Sequence, residues 1–253
     1  MLPLAVASTW ALAETWHIET ASTLLEPANR YIGVLVATNR SDIPIYVRAK
    51  ALKIVIENGK RRQAEDGAHT LSVYPAEFVL QPRSSFNVRL VADISKIEGP
   101  AQSFYVRLTD VSNIAARGEG GMSSGVLYAY DTLVAVSKIR PSTLDPTAFA
   151  VVRNPAGGAA LANQSVQHVF LQAGYRCDTD RRQLVDCEQM LPFPSQSLLP
   201  GEVLTLPELS TPYFGLLLLP TLSAQSRPRA LMIPASPPTV SAGPRGENTP
   251  GTP

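Results

Sequence analysis

Side chains that could do chemistry are few in this chain, and they are scattered. The histidines His17, His69 and His168 fall in three different segments. None has a Cys, Asp or Glu neighbour at the spacing a metal site needs. Cys177 and Cys187 share one segment. In an exported protein that spacing reads as a local disulfide, and in a cytosolic one as two free thiols. No second Cys or His cluster stands near them to complete a metal centre. Asp178, Asp180, Asp186 and Glu188 are the right type for Ca²⁺, but they lack an Asx-rich loop pattern and read as solvated charges. The run RGEGG at 117–121 has the look of a phosphate cradle. It leads into strand-forming residues rather than a helix, so no helix N-terminus would face an anion. The chain contains no P-loop or G-x-G-x-x-G motif. An enzyme is therefore disfavoured, and no cofactor or metal is expected.

What the sequence does supply is strands. Residues 125–141, GVLYAYDTLVAVSKIRP, form the dominant stretch. Val126, Tyr128, Tyr130, Thr132, Val134 and Val136 fall on one face at period two. Leu127, Ala129, Leu133 and Ala135 fall on the other, interrupted by Asp131. A strand apolar on both faces needs cover on both. At the edge of its sheet it would also offer backbone groups to another chain. Both readings, a central strand and a shared one, are open on this stretch alone.

Further strands are expected at 15–23, 31–38, 45–57, 71–80, 86–91 and 103–111, with a bend or bulge near Leu52. After a linker at 142–145, a second set is expected at 148–153, 165–173, 203–206 and 213–219. Residues 58–69 (NGKRRQAEDGAH) read as a solvated loop, because Glu65 and Asp66 follow the basic cluster Lys60, Arg61 and Arg62 closely. Residues 154–162 read as a tight connector and 174–200 as irregular. No stretch keeps a helical period, and short strands separated by turn signals imply an all-β sandwich class.

Length and composition set the limits. The 253 residues suit two domains, and 45% hydrophobic content can build a core. A net charge of +1 gives no general attraction to nucleic acid or anionic membrane. The start, MLPLAVASTWALA, reads as the end of a secretory signal, with a small-x-small pattern at Ala11–Ala13; no segment reaches the roughly 20 apolar residues of a membrane span. The expected division is 1–13 signal remnant, 14–142 first domain, 143–234 second domain and 235–253 disordered Pro-rich tail.

Three stretches together resemble the periplasmic pilus-assembly chaperones of the chaperone–usher pathway: VYPAEFVLQPRSSFNVRLV at 73–91, SFYVRLTDV at 103–111, and the 125–141 strand ending in Arg140-Pro141. The Cys177/Cys187 pair followed by Leu199-Pro200-Gly201 is similar to the alternate, common-pilus branch. The resemblance implies two immunoglobulin-like domains in an L or boomerang. It implies a periplasmic protein that binds pilus subunits by lending a strand, delivers them to an outer-membrane usher, and can self-associate when subunit-free. Val126, Leu127, Tyr128, Ala129, Tyr130 and Leu133 would form the lent segment, the odd-numbered set being favoured as plugs because Asp131 has no place in the domain's own core. The family anchors a subunit carboxylate with an Arg and a Lys. Thr23 and Val136 stand at those positions here, leaving Lys138 and Arg140 as anchor candidates. The competing expectation is a secreted structural or adhesive β-sandwich that keeps the strand for itself.

Overall fold

The structure, a computed structural model, describes residues 16–19, 22–112, 128–139, 145–153, 158–179, 184–206, 209, 211–219 and 227–236. The chain divides into two compact units, the first running to Ile139 and the second from Arg140, with Val55–Arg62 grouped in the second.

Up to Ser137 the strands are β1 (Trp16–Ile18), β2 (Ser22–Leu25), β3 (Ile32–Asn39), β4 (Ile45–Glu57), β5 (Lys60–Glu65), β6 (Leu71–Tyr74), β7 (Glu77–Leu80), β8 (Ser85–Ala92), β9 (Ala101–Asp110) and β10 (Ala129–Ser137), all in the first unit except the end of β4 and the start of β5 within Val55–Arg62. They form one sheet in the order β1-β3-β8-β6 and another in the order β2-β10-β9-β4-β5, with β7 on β4. The alternation explains the layers. Ile45, Val47 and Ala49 of β4, Val88 and Leu90 of β8, and Phe104, Val106 and Leu108 of β9 all turn into one core with Trp16, Leu25, Leu35, Val134 and Val136. The segment expected as a single edge strand at 15–23 is two short strands, one in each sheet.

The second unit contains β11 (Phe149–Arg153), β12 (Ala159–Asn163), β13 (Val169–Cys177), β14 (Glu188–Gln189), β15 (Ser197–Leu198), β16 (Val203–Leu206), β17 (Tyr213–Leu219) and β18 (Arg229–Ser236). Their order is β14-β13-β17-β18-β11-β12-β16, with β15 on β13. β18 runs antiparallel to β17 and joins β11 in parallel at its far end. It thereby connects two halves whose apolar faces, Leu171, Phe214, Leu216 and Leu218 from one and Val151, Leu161 and Leu206 from the other, share a core. This is the all-β, two-domain sandwich the sequence implies.

Four expectations need correction. Residues 60–65 form β5, because Asn58 (φ 52°) and Gly59 (φ 74°) make the tight turn that brings the chain back along β4. The connector expected at 154–162 contains β12, whose Ala159 and Leu161 are buried. Residues 235 and 236, expected in the tail, belong to β18, and the rest of that stretch lies outside the described residues. No bulge breaks β4 against β9, where Val47 to Ile54 pair in unbroken register. The apolar period shifts there because the covered face changes. Leu52 and Ile54 are buried on the sheet's outer face, in rows with Tyr105 and Leu133 and with Ser103 and Ala135.

Both units carry the same corner device. Asn39, at the end of β3, donates through Nδ2 to the Ile43 and Leu80 carbonyls (2.8 and 3.1 Å) and accepts at Oδ1 from the Ser41 N–H and hydroxyl. Asn163, at the end of β12, donates to Gln167 and Leu198 (3.0 and 3.1 Å) and accepts from the Ser165 N–H and hydroxyl. A buried amide satisfied at every atom stabilises a strand end where backbone groups would otherwise lack partners.

Candidate strand-lending edge

β10 is held unevenly. Along β9 it pairs antiparallel over its whole length, from Ala129 opposite Thr109 to Ser137 opposite Ala101. Along β2 it pairs in parallel only from Leu133 (opposite Ser22) to Val136 (opposite Leu25). Among the described residues, the β2 ladder stops at Leu133. Before that point Ala129 is exposed and Tyr128 is 49% exposed. After it, Leu133, Val134, Ala135 and Val136 are all buried.

The side chains of the leading half are held on both faces. On the core face Tyr130 packs edge-on to Trp16 (centroids 4.6 Å apart) and donates its hydroxyl to the Trp16 carbonyl at 2.7 Å. On the outer face Asp131 lies directly opposite Arg107 and accepts two hydrogen bonds from it, at 2.7 Å from Nε and 2.6 Å from Nη2. The hydrogen-bonded Asp131 carboxylate raises the Arg107 pKa further above its ordinary value, with burial opposing. The outer face of this sheet is thus divided. One end is apolar and buried (Leu52, Ile54, Leu133, Ala135). The other is charged and exposed (Arg48, Lys50, Arg107, Asp131).

No family model and no curated protein matches the chain. Solved structures do. The class 5 fimbriae chaperone CfaA aligns over 88% of this chain and 99% of its own, at 16% identity and a TM-score of 0.61. A chain of the CsuC–CsuE chaperone–tip adhesion subunit pre-assembly complex, from the archaic chaperone-usher Csu pili of Acinetobacter baumannii, aligns over 88% and 100%, at 12% identity and a TM-score of 0.60. The E. coli chaperone DraB aligns over 87% and 96%, at 10% identity and a TM-score of 0.58. The fold is that of the fimbrial assembly chaperones.

In this chaperone fold the expected site residues are distributed as follows. Tyr128, Ala129 and Tyr130 lie ahead of the β2 ladder, and Tyr130 is committed to its own domain's core. Leu133 does not belong with them. It is paired with both β2 and β9 and only 5% exposed, so its backbone has no edge to lend in this arrangement. Val126, Leu127 and Arg140 lie outside the described residues. Lys138 donates from Nζ to the Ile97 carbonyl at 2.6 Å, while its backbone N–H reaches the Pro100 carbonyl. Val136 is fully buried. Cys177 and Cys187 form a disulfide that closes the end of β13.

Two features escaped the sequence reading. Arg61, expected in a solvated cluster, lies inside the second unit. It donates to both Glu202 carboxylate oxygens (2.7 and 2.8 Å) and to Ser197, with Glu202 only 9% exposed. Its charge and burial together, burial first, lower the His168 pKa to about 4. The second feature is a pocket of about 380 Å³ on the first unit, lined by Tyr46, Arg48, Glu77, Phe78, Val79 and Val111 among others. Only the alternation of exposed residues along β4 hinted at it. Among the described residues, no helix is long and apolar enough to cross a membrane.

Proposed function

We propose that the protein is a periplasmic chaperone. It binds pilus subunits by adding the leading half of β10, together with the residues just before it, to an incomplete subunit sandwich, and it passes them to an outer-membrane usher. The observation that carries this reading is the uneven ladder of β10: two strands along residues 133–136, one along Ala129 and Asp131 among the described residues. A pilin lacking its last strand exposes an apolar groove that would otherwise aggregate. An added strand supplies main-chain hydrogen bonds for affinity and alternate side chains for specificity. Chaperones of this fold have been solved in complex with a tip adhesin subunit and with the pilin SafA, which supports a subunit as the partner.

The alternation assigns Leu127 and Ala129 as plugs, since Tyr130 on the other face serves its own core. For the subunit's terminal carboxylate, Arg140 is the better anchor. A guanidinium grips a carboxylate bidentately, whereas the Lys138 ammonium is already engaged by Ile97. The protein acts as a binding protein rather than an enzyme, and self-association would be a way to cover the same edge when no subunit is present. The test is periplasmic co-expression with the pilins encoded beside it. A soluble one-to-one complex is expected, and it is lost in the Leu127→Asp/Ala129→Asp double variant. Subunits that stay soluble and bound to that variant would refute lending by this face.

A further inference from the structure

We propose that Arg107 and Asp131 are a positioning pair that holds the leading half of β10 extended and in register before any partner arrives. This rests on the strand-lending reading above and explains how a segment paired so unevenly is kept ready.

The sequence marks the place. Asp131 is the one charged residue between Gly125 and Ser137, and it breaks an otherwise apolar face. An acid in that position makes sense only with a cation opposite it. Arg107 stands at the directly opposed residue of β9, and the two meet in a bidentate fork. Fork geometry fixes direction as well as distance, which a lysine's point charge would not. Gln63 joins the same group: Arg107 Nη2, besides bonding Asp131, donates to Gln63 Oε1 at 3.1 Å, and Gln63 Nε2 reaches Asp131 Oδ2 at 3.5 Å. Arg107 is therefore fixed between β5 and β10.

On the opposite face, Tyr130 is fixed to Trp16 by its ring contact and its hydroxyl. Neighbouring residues pointing to opposite faces are thus each tied down, one by a salt bridge and one by an aromatic contact with a hydrogen bond. A strand pinned on both faces cannot roll or slip by one residue, and such a slip would exchange its faces completely. An ordered segment also loses less freedom when a second strand adds to it, which lowers the cost of association. The pair further keeps Asp131 from being an uncompensated charge when a docking strand excludes water from its surroundings.

Hydrogen exchange on the full-length, subunit-free protein tests this, read separately at residues 129–132 and 134–136, alongside the denaturant midpoint. Arg107→Met and Asp131→Asn should each speed exchange at 129–132 by about 5-fold, the scale of a well-formed partly exposed ion pair. Exchange at 134–136 and the midpoint should stay at wild-type values. The double exchange Arg107→Asp/Asp131→Arg should restore most of the protection. Unchanged exchange at 129–132 in both single variants would overturn the proposal. So would an equal rise in both halves, which marks general loosening, or a failure of the double exchange to rescue. Because no subunit is present, these outcomes are read independently of the co-expression assay. A pair that passes here while the protein captures no pilin would leave the positioning intact and refute the lending.

Discussion

Residues 129–132 and 133–136 are consecutive parts of one strand and pair with the same neighbour, β9, in unbroken antiparallel register. They differ in their other edge and in the exposure of Ala129 and Asp131, although Thr132 is as buried as the second group. The second group has β2 on its other edge and is buried on both faces. The first lies ahead of that ladder, with Ala129 and Asp131 on an exposed, charged face. A single strand is therefore held unevenly along its length. Among the described residues, the division falls where the β2 ladder begins and where the sheet's outer face passes from charged to buried. Apolar content alone does not show it, because Leu127, Ala129, Leu133 and Ala135 form one pattern in the sequence.

The largest effect that separates the two halves comes from a charge in the buried one. Val134 is fully buried in the first core, and Val134→Asp should cost about 4 kcal/mol or more, the usual result of an unpaired charge in a core. Urea denaturation checks it, and a variant of near wild-type stability would break the comparison by showing that the trailing half is not structural.

A smaller effect provides a reference in the second unit. The His168 pKa is lowered to about 4 in the folded protein by burial and by Arg61, whereas an unfolded histidine titrates near 6.5. The unfolded chain thus binds the extra proton first as pH falls. Stability from this group is complete above about pH 6.5 and is lost on the way down to about pH 4, by on the order of 3 kcal/mol in total. Denaturation curves between pH 7 and pH 4 should show that slope, and His168→Gln should remove it. A slope that persists in His168→Gln would assign it to other groups.

The smallest stability effect belongs to the leading half. Ala129→Asp should change the denaturation midpoint by no more than about 0.5 kcal/mol, as substitutions at exposed positions generally do, while capture of a co-expressed pilin is lost. A stability loss comparable to that of Val134→Asp would erase the distinction between the halves.

Period two made most of the fold legible. Ile45, Val47 and Ala49 alternate cleanly with Tyr46, Arg48 and Lys50, and the structure buries the first set and exposes the second. β5 was not legible because its residues, KRRQAE, carry no apolar alternation. Its place is set by the turn at Asn58-Gly59 and by the backbone of β4. β12 hid among small residues, where Ala159 and Leu161 provide too little apolar surface to stand out from the glycines before them. The Asn39–Ser41 turn could be read as a turn, but its repetition at Asn163–Ser165 appears only when both amides are seen bonding the same four kinds of group. At the candidate site, the sequence identified the strand and the oddity of Asp131. It did not identify Arg107 as the partner, because pairing across strands depends on register. Nor did it separate Leu133 from Ala129, because the extent of the β2 ladder is a long-range property of the fold.

The proposed function requires the leading half of β10 to add itself to another protein's sheet while the trailing half stays in its own. The direct measurement is residue-resolved hydrogen exchange on the protein, free and in complex with a pilin co-purified from the periplasm. New protection at Ala129 and Asp131, whose backbone groups face away from β9, with no change from Leu133 to Ser137, is the predicted result. Protection that leaves Ala129 and Asp131 untouched, in a complex that nevertheless forms, would contradict the claim.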